Sequence, residues 1–245
     1  MARQWRYGMV GQAEVARTVG TGPLTIGAHY HETVQVTIVT SGRRAFRTRT
    51  GSVAAGAGHA IVIPANLPHA AAPMAERDDS VNVYLPPHAF DGVLGDVAAI
   101  VPVPPGVERL APSQVASVLH PLLAAAPVAR REAGSAGSAG LTALAAAVIG
   151  TDADLRTLAA RFATSREAVI RRFARETGMT PHAFRVVARL NLARRLLRAG
   201  AAPAQAAAEA GFADQSHLGR QFRAVFGTTP GRYRAHRTFV PDSRP

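Results

Sequence analysis

Hydrophobic and polar positions alternate in short runs through the first half of the chain. Val34, Val36 and Ile38 share one face of an extended segment, and the residues between them share the other. Similar runs, separated by Gly and Pro, recur at 46–50, 60–63 and 81–85. This spacing predicts an all-β jelly roll, sandwich or barrel, followed by a helix at 113–126.

The hydrophobic period lengthens to between three and four in the second half. Leu155 and Phe162, for example, have the spacing of one buried helical face. Residues 132–140, EAGSAGSAG, separate the two patterns and have the composition of a flexible linker. We therefore expect two domains, a β domain at 1–131 and an all-α domain at 141–245.

An internal repeat organises the helical half. The pattern Arg-x-Phe-x4-Gly-x-Thr-Pro occurs at 171–181 and recurs 49 residues later at 220–230. In each copy the Gly stands where a helix closes in a left-handed conformation, and Thr-Pro stands where the next helix begins. The repeat therefore predicts two copies of one helical unit.

Each copy completes a helix-turn-helix motif. Short helices are expected at 155–162 and 204–210, each followed by a tight turn. Ser165 and Asp214 then stand where N-cap residues are expected. A long helix at 181–198, about 27 Å in length, joins the motifs. That length suits two recognition helices in successive major grooves, which lie about 34 Å apart.

The charge distribution points to the partner of the helical half. All 28 basic residues are Arg, a composition that a GC-rich genome also produces. Residues 1–140 hold 11 Arg and 9 acidic residues, whereas residues 141–245 hold 17 Arg and 7 acidic residues. This concentration of positive charge favours double-stranded DNA as the partner. Phosphate contacts are expected from the arginines of the long helix: Arg189, Arg194, Arg195 and Arg198.

The residue types that are absent exclude several classes of protein and site. The chain has no Cys, which excludes disulfides, thiolate metal sites and Cys nucleophiles. The N-terminus has no apolar stretch of signal-peptide length, and no uninterrupted apolar run is long enough to span a membrane. We expect a cytoplasmic, non-enzymatic protein with no membrane partner and no obligatory cofactor.

The second helix of each motif carries candidate base-reading side chains on its outer face. Val169 and Phe173 in one copy, and Leu218 and Phe222 in the other, have the spacing of a core face. The opposite faces are the candidate DNA-binding residues: Arg166, Glu167, Ile170, Arg171, Gln215, Ser216, Gly219 and Arg220. Arg suits guanine, Gln adenine, Glu cytosine and Ile the thymine methyl group.

The helical half resembles the DNA-binding domain of the AraC/XylS family of bacterial transcription regulators over residues 141–239. The resemblance is strongest at 211–222, GFADQSHLGRQF. Ala163 stands at the usual turn Gly of the first motif, and Thr164 and Arg172 stand at usually apolar positions. The resemblance implies a tandem helix-turn-helix domain, control by a small-molecule effector, and a homodimer and RNA polymerase as further partners.

Two segments of the β domain are similar to the conserved boxes of the cupin jelly roll. The first, HYHETVQ at 29–35, carries Gln35 where cupins usually have Glu. The second begins at Gly58 and includes His69, with Asn66 in place of the usual Gly and Pro73 in place of the terminal Asn. Because odd positions share one strand face, His29, His31 and Gln35 are expected to converge with His69. These four residues are the candidate effector site, and the three His are also candidate ligands for a divalent metal.

The sequence features described above are compatible with three functions. The leading one is a sequence-specific transcription regulator controlled by a small-molecule effector in the cupin-like domain. The second is a metal-dependent cupin enzyme with a helical appendage. The third is a constitutive DNA-binding protein whose β domain is structural. The duplicated helix-turn-helix pattern and its positive charge favour the first.

Overall fold

The computed structural model describes residues 4–11, 13–19, 26–72, 78–126 and 163–235, together with residues 145, 148, 157, 159 and 160. The first four segments form a β region, and the last forms a helical region. The linker predicted at 132–140 and most of the helix predicted at 155–162 lie outside the described residues. No helix in the described part is long and apolar enough to cross a membrane.

Two antiparallel sheets build the β region. The strands are β1 Gln4–Val10, β2 Ala13–Val19, β3 Val34–Ser41, β4 Arg43–Thr48, β5 Gly51–Gly56, β6 His59–Ile63, β7 His69–Ala71, β8 Asp79–Leu85 and β9 Ala99–Pro102. The larger sheet has the order β1-β2-β8-β3-β6-β9, and the smaller has the order β5-β4-β7. The predicted all-β character of the first domain is therefore confirmed.

The two faces of β3 have different surroundings, and both are buried. Val36 belongs to the same hydrophobic cluster as Leu119 of α1, Pro112–Ala125. On the opposite face Gln35 and Thr37 hydrogen-bond to each other, and both are buried. The alternation predicted from the sequence is confirmed, and it separates an apolar core under α1 from a polar interior.

The helices of the second half begin and end where the repeat predicts. Within residues 163–235 they are α2 Arg166–Thr177, α3 Pro181–Ala199, α4 Pro203–Glu209, α5 Gln215–Phe226 and α6 Pro230–Ala235. The side chains of Ser165 and Asp214 each accept a hydrogen bond from a backbone N–H three residues ahead. Gly178 and Gly227 end α2 and α5 with φ angles of 75° and 68°.

Both recognition helices bury the faces that the repeat predicts. Val169 and Phe173 of α2 are buried in a cluster with Phe184 of α3. Leu218 and Phe222 of α5 are buried in a second cluster with residues of α3 and α4. Burying a side chain of this size stabilises the fold by about 2 kcal/mol. The long helix α3 therefore serves as the common support of both recognition helices.

The β region and the helical region share a hydrophobic core. Tyr7 and Tyr84 of the β region belong to the same buried cluster as Leu190 of α3 and Phe222 and Phe226 of α5. The two regions are thus docked through apolar side chains as well as connected along the chain. A change at this boundary consequently acts on both regions.

Candidate DNA interface and effector cavity

The candidate base-reading residues lie on the outer surface of the helical region. Six of the eight are exposed: Arg166, Glu167 and Arg171 on α2, and Gln215, Ser216 and Arg220 on α5. Ile170 and Gly219 are half-buried at the edges of these faces. Arg223 is also exposed, one turn beyond Gly219, and its four-residue spacing from Gly219 is the signal that could have identified it.

Three histidines meet in the interior of the β region. His29 and His69 exchange two backbone hydrogen bonds, 2.9 and 2.8 Å long, as an isolated antiparallel bridge. The ring centres of His29, His31 and His69 then lie 4.5 to 5.4 Å apart. The expectation of one strand over 29–35 is wrong, because β3 begins only at Val34. The bridge to His69 brings the rings together instead.

Burial keeps the three imidazoles neutral. Desolvation lowers the pKa of His69 to about 4 and the pKa values of His29 and His31 well below 6.5. His29 Nδ1 donates to the carbonyl of Gly27, and His69 Nδ1 donates to the carbonyl of Leu67, each at 2.8 Å. Because a neutral imidazole carries one N–H, Nε2 of both rings retains its lone pair.

Gln35 and His69 place two hydrogen-bond acceptors against each other. Gln35 Nε2 donates to Thr37 Oγ1 and Asn82 Oδ1, so Gln35 Oε1 faces His69 Nε2 at 3.2 Å. Exchanging the N and O atoms of the Gln35 amide would remove this mismatch but set Gln35 Oε1 against Asn82 Oδ1. Exchanging them in both Gln35 and Asn82 would set Asn82 Oδ1 against the carbonyl of Ala16. A ligand group that donates a hydrogen bond between Gln35 and His69 would remove the mismatch.

Arg194 of α3 sets the tautomer of His31. Arg194 Nη1 lies 2.9 Å from His31 Nδ1, and a guanidinium can only donate, so His31 Nδ1 accepts. The proton of His31 therefore sits on Nε2, which has no hydrogen-bond partner within the described residues. His31 thus holds a buried donor that is available to a ligand.

The three imidazoles do not fit a shared metal ion while Arg194 is in place. One nitrogen of each ring lies within 4.8 Å of the others. Metal-bound imidazoles donate their second N–H to a carbonyl or a carboxylate, and His29 and His69 have that arrangement. His31 does not, because Arg194 occupies Nδ1 and leaves the proton on Nε2. Coordination by all three would require Arg194 to withdraw.

A small cavity lies beside this cluster, where the two regions meet. Its free volume is about 10 Å³, which is roughly what one water molecule needs. Tyr7, His29 and Gln35 line it from the β region, and Val225 and Phe226 line it from the last turn of α5. A larger ligand therefore has to move at least one of these walls.

Arg194 also anchors the two regions to each other. Its Nε and Nη2 donate to the two carboxylate oxygens of Glu14 on β2, with 3.1 Å between Nε and Oε2. The hydroxyl of Tyr233 on α6 donates to the same carboxylate, and the guanidinium lies 4.9 Å from the ring centre of Phe226. The expectation that Arg194 contacts DNA phosphates is wrong, because its side chain is buried and paired.

Glu14 is a site residue that the sequence does not reveal. In the sequence it is a single acidic residue in an alternating strand, and no motif marks it. Only the packing of β2 against α3 shows that its carboxylate is buried and bonded to Arg194 and Tyr233. Burial of an unpaired carboxylate would be costly, so the three side chains depend on one another.

Two further contacts join the regions near the end of α5. The hydroxyl of Tyr7 donates to the carbonyl of Phe226 at 2.6 Å. The indole of Trp5 lies so close to Gly227 that a Cβ atom there would be 2.6 Å from Trp5 Cδ1. The C-terminus of the second recognition helix is thus held directly by β1.

Two family profiles match the chain. Residues 19–148 match the AraC-like ligand binding domain, and residues 158–236 match a helix-turn-helix domain. The first match covers more than half of the chain. The chain therefore belongs to the AraC family of helix-turn-helix transcription regulators, as its sequence motifs predict.

A curated relative agrees with this assignment. The uncharacterised HTH-type transcriptional regulator YbfI of Bacillus subtilis (strain 168) is 39% identical over 54 residues, which are 22% of this chain and 20% of that protein. The match thus spans about a fifth of that curated relative.

Solved structures share the whole two-domain fold. ToxT from Vibrio cholerae O395 has a TM-score of 0.58 at 12% identity, over 94% of this chain and 98% of that one. Wild-type ToxT of strain SCE256, solved with an unsaturated fatty acid bound, has a TM-score of 0.51 at 13% identity, over 93% and 98%. The predicted fold class, a β domain followed by a helical DNA-binding domain, is confirmed.

Proposed function

We propose that this chain is an effector-controlled transcription regulator that reads double-stranded DNA with α2 and α5 and is not an enzyme. Its effector is a small molecule that binds among His29, His31, Gln35 and His69. One observation carries the proposal: Phe226, the last residue of the second recognition helix, is also a wall of the effector cavity. Occupancy of the cavity and the position of a DNA-reading helix are therefore linked.

The small volume of the cavity links effector binding to the position of α5. The cavity holds about one water molecule, whereas sites for small organic ligands span about 300 to 1,000 Å³. Val225 and Phe226 reach the cavity from the helical region, so an effector that pushes them outward also breaks the hydrogen bond between Phe226 and Tyr7 of β1. An effector consequently favours an arrangement in which the end of α5 has shifted relative to the β region.

The polar atoms of the cavity define the chemistry of the effector. His31 offers a donor at Nε2, and the facing acceptors of Gln35 and His69 call for a donor from the ligand. A hydroxyl or an amide group supplies both a donor and an acceptor. We therefore infer a polar effector that carries at least one such group.

The family resemblance supplies two further parts of the proposal. A homodimer would place two pairs of recognition helices on one operator, and contact with RNA polymerase would connect DNA binding to transcription. The eight residues on α2 and α5 would provide sequence preference. Exposed Arg195, on the supporting helix, would add a phosphate contact.

Footprinting of the DNA upstream of the chain's own gene tests the proposal. We expect protection of two major-groove segments about one helical turn, or about 34 Å, apart. Affinity should fall by about tenfold or more between 50 and 200 mM salt, because phosphate contacts release counterions. A variant carrying both Arg171→Ala and Arg220→Ala is the control and should lose the footprint while it keeps its fold. Equal binding to all sequences would contradict the proposal.

A metal-dependent cupin enzyme is the second candidate. The lone pairs of His29 and His69, together with Gln35 Oε1, favour it, whereas the pairing of Arg194 with His31 opposes it. Metal analysis of protein purified without a His tag separates the two. Stoichiometric metal that is lost in His69→Ala would favour the enzyme. Metal-free protein with an intact footprint would favour the regulator.

A further inference from the structure

The histidine cluster, which consists of His29, His31 and His69, has nearly the dimensions of a metal site. One nitrogen of each ring lies within 4.8 Å of the other two. Ligand nitrogens around a tetrahedral Zn²⁺ ion lie about 3.4 Å apart, because each Zn–N bond is about 2.0 to 2.1 Å long. The three rings would therefore have to close by no more than about 1.4 Å to share one ion.

Gln35 is a second sign that a positive charge suits the cluster. Its side-chain oxygen Oε1 faces His69 Nε2 at 3.2 Å, and neither atom carries a proton. This separation is close to the spacing of two ligands on one ion. The amide is held in place because its Nε2 donates to Thr37 Oγ1 and Asn82 Oδ1. A cation bound to both atoms would remove the repulsion between their lone pairs.

The types of these side chains select the class of ion. Three imidazole nitrogens and one amide oxygen suit a divalent transition-metal ion such as Zn²⁺ or Co²⁺. Mg²⁺ and Ca²⁺ prefer oxygen ligands and do not match this set. His29 and His69 already donate Nδ1–H to backbone carbonyls, as metal-bound imidazoles do.

His31 is the ring that does not match, and Arg194 of the helical region is the cause. Arg194 Nη1 donates to His31 Nδ1 at 2.9 Å, which leaves a proton rather than a lone pair on His31 Nε2. The guanidinium cannot turn away freely, because its Nε and Nη2 are bound to the carboxylate of Glu14. In the docked arrangement, the cation next to the cluster is thus a guanidinium.

We propose that Arg194 and a divalent transition-metal ion compete for His31. A metal ion bound at Nε2 requires the proton of His31 to be on Nδ1, with no net change in protonation of the ring. Nδ1–H and the guanidinium N–H groups are all donors, so Arg194 then has to withdraw. Because Arg194 joins α3 to Glu14 of β2, metal binding weakens the docking of the two regions, and docking weakens metal binding by the same factor.

Metal titrations of the full chain, purified without a His tag, test the competition. The visible absorption of Co²⁺ reports nitrogen ligation. The emission of Trp5, which lies against Gly227 at the end of α5, reports docking in a parallel titration with Zn²⁺. We expect weak binding, accompanied by a shift of the Trp5 emission to longer wavelength. Saturation with either ion without that shift would overturn the proposal, because the docked arrangement would then accommodate the metal.

Replacing Glu14 by Leu together with Arg194 by Met makes the test specific. This double variant frees His31 Nδ1 without changing the net charge of the chain. We expect it to bind one Co²⁺ at least about tenfold more tightly than the wild-type chain, and to bind Zn²⁺ without a shift of the Trp5 emission. Equal affinity of the two chains, or no Co²⁺ absorption in either, would contradict the competition.

Adding His31→Gln to the double variant should abolish the gain in affinity, because the third imidazole ligand is lost. A gain that persists without His31 would show that the ion binds elsewhere on the chain, and the proposal would fail.

A neighbouring ion pair supplies the matched control. Glu32 and Arg195 also join the β region to α3, and their pair is exposed. The variant Glu32→Gln with Arg195→Gln keeps the net charge and leaves the contact between Arg194 and His31 in place, so its Co²⁺ affinity should equal that of the wild-type chain. An equal gain in this control would assign the effect to looser docking and not to the release of His31.

Neither DNA nor an organic effector enters these titrations. A chain that shows the competition but gives no footprint would contradict the proposed function alone. A chain that gives a footprint but binds Co²⁺ equally well with and without Arg194 would contradict the competition alone.

Discussion

Arg194 and Glu14 form a two-point ion pair across 180 residues of sequence. Their side chains are 6% and 1% exposed, so the pair is shielded from solvent and from salt. The same guanidinium reaches His31 of the histidine cluster, and the same carboxylate accepts from Tyr233 and Arg198. One buried contact thus connects the histidine-lined cavity to the support of both recognition helices.

Removing the charge of Glu14 should release the helical region. In Glu14→Gln the guanidinium of Arg194 stays buried without its counter-ion, which costs about 3 to 5 kcal/mol. We expect a larger radius of gyration in small-angle scattering and separate thermal transitions of the two regions in calorimetry.

Two controls accompany this variant. Glu32→Gln breaks an exposed interdomain pair and should cost less than about 1 kcal/mol. Replacing Glu14 by Leu together with Arg194 by Met should restore docking, because apolar side chains can fill the site without a buried charge. An unchanged radius of gyration in Glu14→Gln would show that the pair does not hold the regions together.

The approach of Trp5 to Gly227 predicts a steric effect on docking. Gly227→Ala introduces a Cβ atom 2.6 Å from the indole, at a positive φ. Gly178→Ala has nearly the same φ at the end of α2, and among the described residues its Cβ would meet only Arg49 Cβ, at 4.0 Å. Both changes carry the left-handed strain of about 1 kcal/mol. Gly227→Ala should cost about 1 to 3 kcal/mol more.

Fluorescence reports this difference directly. Trp5 is the only Trp in the chain, so its emission maximum follows its own surroundings. The emission should shift to longer wavelength in Gly227→Ala as the indole becomes exposed, and stay unchanged in Gly178→Ala. Identical emission and identical stability loss in both variants would mean that Trp5 moves aside freely.

The turn of the first helix-turn-helix motif carries strain that can be removed. Ala163 has a φ of 48°, in a region that favours Gly, whereas the second motif has Gly211 with a φ of 75°. Ala163→Gly should raise the free energy of unfolding by up to about 1 kcal/mol. The reverse change, Gly211→Ala, should lower it by at least that amount. Chemical denaturation measures both, and effects of equal sign would contradict the assignment of strain.

Arg220 and Arg171 should contribute base preference rather than general affinity. Each is exposed on a recognition helix, where an Arg can bind guanine through two hydrogen bonds. Arg220→Ala should weaken operator binding by about 1 to 3 kcal/mol and relax preference at one base pair. Titrations against single-base operator variants measure this loss. Arg47→Ala serves as the control, and a uniform loss for all sequences would assign Arg220 to phosphate contact.

Acid should destabilise the protein through the histidine cluster. The folded-state pKa of His69 is about 4, below the usual 6.5, because burial disfavours the charged ring. Between these values the unfolded chain binds more protons, so stability is full above about pH 6.5 and falls as the pH drops towards 4. The loss is on the order of 3 kcal/mol. Urea denaturation should show a flatter pH profile for His69→Gln, and an unchanged profile would exclude His69 as the cause.

Much of the helical region could be predicted because its signals are local. The caps at Ser165 and Asp214, the helix ends at Gly178 and Gly227, and the buried faces all depend on residues within a few positions of each other. The strands of the β region could be predicted from the sequence, but which strands pair with each other could not. Pairing depends on distant segments, and for that reason the bridge between His29 and His69 was not foreseen.

The order of residues is enough to specify the two fold types, the duplicated helix-turn-helix motif and the exposed faces of its second helices. The packing of separate elements makes Arg194 a buried anchor and Glu14 its partner. The same packing places Phe226 at the wall of the histidine-lined cavity. These contacts escape the sequence because periodicity tells which face of an element is buried, whereas the partner of a buried charge depends on how separate elements pack.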